Sequence, residues 1–283
     1  MKPTQLLLAA VAALALGAPQ ARAFTPANDN LTNGNNWNTG VSQDPSAAAF
    51  GPGGLTIATN PFGNPLQFQR QAVASNGGDF SWLTAPGAVT YSFTLSDFAN
   101  PTTIQNGGYE ANMLLIGNQA QPLPNFADFN AANAILFRVV DLGPAQGGGN
   151  SYGAELLYKT GQASQSIFPA PFGVGTKVAA MYNETSPLGR WSITLSGQNA
   201  FITDPTGHVS QPGQFTGSGH FNSDVLTAFN QNAHVYLQAN NGQSAAGDSI
   251  TFSNFQAIPE PSTWASLALG LGALWLRRRK MVK

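Results

Sequence analysis

Ala88-Val-Thr-Tyr-Ser-Phe-Thr-Leu95 puts Val89, Tyr91, Phe93 and Leu95 on one side of an extended chain and Thr90, Ser92 and Thr94 on the other. That two-residue period is the signature of a strand with one face buried and one face wet. Trp191-Ser-Ile-Thr-Leu195 and Ser249-Ile-Thr-Phe-Ser-Asn-Phe255 repeat it. Between and around them, Asn112–Ile116, Ala134–Val140, Ala154–Tyr158, Lys177–Tyr182, Ala200–Thr203 and His234–Ala239 form short apolar or alternating runs bounded by Gly, Pro, Asn or Asp, the residues that make turns. No long segment carries a 3.6-residue stripe. Asp224–Asn230 has room for one short helix and Asp128–Ala132 for a helical turn.

About a dozen short strands with one wet face each predict two packed antiparallel sheets, an all-β sandwich of the jelly-roll kind. There is no internal repeat and no linker long enough to separate a pair of domains, so residues 24–257 are read as one domain. With no cysteine in the chain, disulfides, thiolate metal sites and thiol nucleophiles are excluded, and stability must come from a core.

The two ends read as processing signals. Lys2, the apolar run Leu6–Leu16 and the small-residue site Ala21-Arg22-Ala23 have the order of a signal peptide for the Sec machinery, residues 1–23, cut after Ala23. At the other end, residues 258–283 hold Pro259-Glu260-Pro261, an uncharged apolar run Thr263–Leu276 and the basic cluster Arg277-Arg278-Arg279-Lys280. The prolines mark an exposed extended hinge. The apolar run predicts a short transmembrane helix, below the ~20 residues that cross a bilayer comfortably, with a positively charged cytoplasmic flank.

That order of triplet, apolar span and basic cluster resembles the PEP-CTERM sorting signal of Gram-negative bacteria. The resemblance implies an exosortase as partner, cutting near Pro259-Glu260-Pro261. It also implies a protein exported across the inner membrane, held there transiently by its tail and then passed to the cell surface or extracellular matrix. The body resembles the concanavalin A-like lectin and laminin-G jelly roll. This likeness is carried by Gly189-Arg-Trp-Ser-Ile-Thr-Leu-Ser-Gly197, Asn199-Ala-Phe-Ile-Thr-Asp-Pro-Thr206, Val235-Tyr-Leu-Gln238 and the terminal strand Asp248–Gln256. It implies that the first pair lies near the middle of the curved sheet and that the last strand returns beside the first.

Without the two signals the body keeps five basic residues against twelve acidic ones, a net charge of −7 hidden behind the whole-chain value of −1. Nucleic acid and anionic lipid are therefore poor partners, because phosphate binding needs clustered Lys and Arg. Membrane contact is expected only through the tail before processing.

Catalytic chemistry has few carriers. Glycoside hydrolysis needs two carboxylates on one face, yet Glu110, Glu155, Glu184 and Glu260 each lack an Asp or Glu within four residues. Glu155 reads as a solvated carboxylate beside Tyr152 and Lys159. His208, His220 and His234 have no metal-ligand spacing and read as scattered surface or loop residues. Calcium is the one cofactor with candidate ligands, Asp29 and Asn30 in an Asn-rich loop together with Asp204 and Asp248, although such residues also simply make turns. For sugar stacking the candidates are Trp37 and Tyr109, expected in exposed polar loops, while Trp191 reads as core. No residue is assigned a catalytic role. The expectation is an exported, non-enzymatic structural or adhesive module of the exopolysaccharide layer. The alternatives are a lectin-like domain that binds extracellular polysaccharide, and a secreted hydrolase with an unrecognised site.

Overall fold

The computed structural model describes residues 24–41, 44–59, 69–98, 110–118, 133–144, 150–159, 176–211, 220–241 and 248–260. In chain order the strands are β1 (Ala27–Asp29), β2 (Trp37–Asn38), β3 (Ala48–Gly51), β4 (Gly54–Ala58), β5 (Gln69–Ser75), β6 (Val89–Phe98) and β7 (Glu110–Gly117). They continue as β8 (Ala134–Pro144), β9 (Asn150–Lys159), β10 (Thr176–Glu184), β11 (Gly189–Ser196), β12 (Asn199–Thr203), β13 (Ala233–Asn241) and β14 (Ser249–Pro259). Among the described residues the one α-helix, α1 (Ser223–Ala228), falls within the expected segment and is capped by the Asn222 side chain, which accepts from the Val225 N–H at 3.1 Å.

The strands form two seven-stranded antiparallel sheets. The first runs β12-β11-β6-β14-β4-β3, with β1 also on β14, and the second runs β10-β9-β8-β7-β13-β5-β2. The alternation that predicted β6 is what joins them: Val89, Tyr91, Phe93 and Leu95 are buried inward. Phe93 stands between the layers, its ring 5.4 Å from Phe252 of its own sheet and 5.7 Å from Phe137 of the opposite one. Trp191 is core, as expected, and its indole N–H donates to the Pro187 carbonyl at 2.7 Å.

The two sheets differ in their outer faces. The first turns a row of hydroxyls outward, Thr90 with Thr194 at 2.8 Å and Thr56 with Thr251 at 3.0 Å. The second is buried on both faces: every residue of β7 is buried, and a second apolar cluster containing Leu114, Leu136, Leu157 and Tyr236 covers its outer side.

Two expectations about strand placement are corrected. The β11–β12 hairpin forms as expected, but β12 is an edge strand rather than a central one. The last strand does return beside the first, with Ala27 opposite Ala257. That strand continues past the expected boundary at residue 257, so Pro259 pairs with Val89 and the triplet begins inside the sheet instead of in a free hinge. A proline is tolerated at a strand end, where no ladder donor is demanded of it.

The β3–β4 turn depends on Gly54, whose φ of +118° is open to glycine and whose missing Cβ would sit 2.1 Å from the Phe252 carbonyl oxygen. Two outcomes test this packing. Phe93→Ala should cost about 3–5 kcal/mol in chemical denaturation, as expected for an aromatic removed from a closed core. Gly54→Ala should also destabilise, because it adds strain and a clash at once.

Candidate functional site

Register places a polar row directly across the middle of the second sheet. Gln238 lies opposite Asn112, Asn112 opposite Arg138, and Arg138 opposite Glu155. All four point to the outer side, since their neighbours Leu237, Met113, Phe137 and Leu156 point into the core. All four are buried. A buried charge persists only when it is paired, and both charges of this row are paired.

The Arg138 guanidinium donates from Nε to Glu155 Oε2 at 2.8 Å and from NH1 to Glu110 Oε1 at 2.8 Å, and NH2 also reaches Glu155. Asn112 donates to Glu110 Oε2 at 3.3 Å and to Gln238 Oε1 at 2.9 Å. On the far side, Glu155 Oε1 takes the Lys177 ammonium at 2.5 Å and the Tyr182 hydroxyl. Asn112 Oδ1 and Gln238 Nε2 are left without a hydrogen-bond partner among the described residues.

These contacts set the protonation states. Burial would raise the Glu155 carboxyl, but the Arg138 charge and the hydrogen bonds from Lys177, Tyr182 and Arg138 hold it below its ordinary 4.5. Burial opposes the Lys177 charge, yet its bonds to Glu155 and Tyr182 raise it above 10.5. Burial and the Glu155 bond push Tyr182 up. The solvated Glu155 that the sequence suggests is corrected: the residue is 4% exposed and is the hub of the network. The signal available in the sequence was the alternation of Glu110, Asn112, Arg138 and Glu155 with apolar residues, but placing them in one row required strand pairing.

The sequence candidates lie elsewhere: the structure sets Trp37 against Asp29 but gathers no metal-binding group from Asp29, Asp204 and Asp248 among the described residues. Trp37, expected to be exposed, is 6% exposed, with its ring 5.4 Å from Phe255 and its indole N–H on Asp29 Oδ2 at 3.2 Å. Asp29 accepts from Leu31 N–H at 2.8 Å and from the Asn36 amide at 3.0 Å, so both of its oxygens organise the loop. Asn30 accepts from the Thr32 hydroxyl at 2.9 Å. Together Asp29 and Trp37 line a cleft of about 420 Å³ with Thr25, Asn28, Asn76 and Phe80.

Asp204 builds the turn that follows β12, its Oδ1 accepting from Thr206 and His208 N–H, each at 2.8 Å. Burial would raise the Asp204 carboxyl, but the Thr206 hydroxyl and then those two N–H donors hold it down. Asp248 is half-buried beside β14, where its carbonyl accepts from Thr59. Among the described residues no group of three or more His, Cys, Asp or Glu is arranged for a metal. His208 is exposed in its turn, while His234, expected at the surface, is 3% exposed on β13. Tyr109, Ala21, Ala23, Pro261, Arg277, Arg278, Arg279 and the expected helix at 263–276 lie outside the described residues. No helix among the described residues is long and apolar enough to cross a membrane.

The sorting triplet is partly docked. Glu260 donates its N–H to the Ala88 carbonyl at 2.7 Å, and its carboxylate accepts from the Thr90 hydroxyl at 3.1 Å.

Residues 257–280 match the family model for the PEP-CTERM protein-sorting motif, which marks an exported protein sorted to the cell envelope or surface. The fold and the tail together thus define an exported all-β sandwich bearing that motif. No curated protein matches the chain. Among solved structures, the endo-1,3-beta-glucanase of Streptomyces sioyaensis is 15% identical over 85% of this chain and 97% of its own, with a TM-score of 0.49. A Bauhinia forficata lectin in complex with GalNAc is 10% identical over 84% and 99%, with a TM-score of 0.47. An alginate lyase of Pseudomonas aeruginosa is 10% identical over 86% and 100%, with a TM-score of 0.43. Likenesses at this level carry no residue role or ligand across.

Arg138→Ala should cost about 3–5 kcal/mol by stranding two buried carboxylates. The triple change of Glu110→Gln, Arg138→Met and Glu155→Gln should recover most of that loss in the same denaturation assay. Because the folded Glu155 value is depressed, its contribution is full above the ordinary 4.5 and fades as pH falls through the lower folded value. Glu155→Gln should flatten that acid limb. Amide exchange should show Glu260 protected, and Thr90→Val should weaken that protection several-fold.

Proposed function

We propose that this protein is a non-enzymatic surface or matrix component, delivered by exosortase processing and serving as a structural or adhesive module of the exopolysaccharide layer. The observation that carries this reading is the pairing within the buried row, where the Arg138 guanidinium bridges Glu110 and Glu155. Glycoside hydrolysis needs one carboxyl held protonated near neutral pH to give a proton to the leaving oxygen. Glu155 is held in the opposite state, and Glu110 is occupied by the same guanidinium. Paired in this way, the two carboxylates stiffen the sheet. The outer hydroxyl row of the first sheet and the body's low density of charged residues suit contact with neutral polymer.

A lectin-like reading has one observation in its favour. Asn112 Oδ1 and Gln238 Nε2, buried on adjacent strands, are an acceptor and a donor without a hydrogen-bond partner among the described residues, the kind of groups that a sugar hydroxyl satisfies.

Fractionation of the native host tests the main reading. The processed chain should appear in the surface or polymer fraction, and Pro259→Ala, Glu260→Ala and Pro261→Ala together should strand it in the membrane fraction. Purified protein should release no reducing ends or unsaturated products from β-glucans or alginate, and turnover would overturn the non-enzymatic assignment. A polysaccharide-dependent rise in Tm that Asn112→Leu abolishes would replace the structural reading with the lectin-like one.

A further inference from the structure

Phe24 is the residue that the expected cut after Ala23 turns into the first of the mature chain. It is no loose end: Phe24 is 7% exposed, and its ring meets Phe80 at 6.4 Å and Tyr91 at 6.3 Å, both edge-on. The next residue is fixed by a reciprocal pair of bonds. Thr25 N–H donates to the Asp79 carbonyl at 2.7 Å, and the Thr25 hydroxyl oxygen accepts the Asp79 N–H at 3.0 Å. Covalent geometry keeps the Phe24 nitrogen within about 4 Å of the Thr25 nitrogen, and so within about 7 Å of the Asp79 carbonyl oxygen to which Thr25 donates.

Asp79 has an unmet need there. Its side chain belongs to a residue 5% exposed, and Oδ1 accepts from Ser81 N–H at 2.9 Å and Ala233 N–H at 3.2 Å. Oδ2 is buried and has no hydrogen-bond partner among the described residues. The ion pairs found among those residues use Arg138, Lys177 and His208, and none involves Asp79. The Tyr91 hydroxyl is pushed up first by burial and then by the Asp79 charge, which places that charge close to the ring against which Phe24 packs. An isolated buried carboxylate is among the costliest groups a core can hold.

We propose that Asp79 Oδ2 is the docking site for the α-ammonium group that signal-peptide removal creates on Phe24, so that the cut itself completes the sandwich. Hydrolysis of the Ala23–Phe24 bond consumes one water. It leaves a carboxylate on Ala23 and an amine on Phe24 that takes up the released proton, since an α-amino group ordinarily titrates near 8. Before the cut, the same nitrogen is a neutral amide with a single hydrogen, covalently bonded to residue 23 and unable to carry charge. The proposal rests on the reading of the cut site.

The test uses the chain from Phe24 to Lys283 in detergent, released from a fusion that leaves Phe24 as the first residue, beside the same chain beginning at Ala23. Each is made with Asp79 and with Asp79→Asn. The one-residue extension should lower Tm by about 5 °C or more in the Asp79 protein and have little effect in Asp79→Asn. The Phe24 α-amine should react with cyanate at least about tenfold more slowly than that of a Phe-Thr-Pro peptide, while the Ala23 amine should react freely. Equal Tm values for the two starts, or a freely reactive Phe24 amine, would overturn the pairing. Amine reactivity decides the matter even where Asp79→Asn does not fold. The intact mass of the exported protein reports separately on the cut: a different first residue would sink the cut-site reading while leaving the Tm and reactivity comparison to stand or fall on its own.

Discussion

Pairing between β14 and the rest of the first sheet is the constraint on which the architecture hangs. β14 runs beside β6 along one edge and beside β4 and β1 along the other, so it is the place where distant stretches of the chain are tied together. The bond between Thr90 and Glu260 spans 170 positions. Every inward residue of β6 and β14 takes its place from this register, and a slip of one residue would turn Phe93 and Phe252 out of the core. The bulges in the β6–β14 ladder, near Thr251 and between Ser253 and Gln256, let the strand bend around the core without losing the pairing on either side.

The second sheet solves a different problem. A sheet buried on both faces would ordinarily read as continuously apolar, and this one instead carries a line of amide, guanidinium and carboxylate groups through its centre. Such a row costs desolvation energy that a leucine row would not. What it adds is direction, because a guanidinium bridging two carboxylates on neighbouring strands fits only one alignment of β7, β8 and β9.

Strand positions were legible wherever side chains alternated cleanly: the core faces of β6, β11 and β14 follow from period two alone. β5, with the sequence Gln-Arg-Gln-Ala-Val-Ala-Ser, was not, because small and polar residues give no contrast between its faces. The sorting tail was readable because three unlike compositions follow one another in a fixed order. Glu155 misleads for a physical reason: a lone carboxylate flanked by Tyr and Lys in sequence looks wet, and only the pairing of β8 with β9 brings Arg138 to it. Trp37 misleads in the same direction by another route, since a polar neighbourhood in sequence says nothing of the Asp29 carboxylate that draws the indole inward.

The short ladder between β1 and β14 also fixes which way the molecule stands. Because Ala27 lies opposite Ala257, continuing the register brings Thr25 level with Pro259, so the chain enters and leaves the sandwich at the same corner. A tail held in a membrane before processing would put that corner nearest the membrane and the opposite end of both sheets farthest from it. Two facing alanines thus set which end of the sandwich carries both ends of the described body.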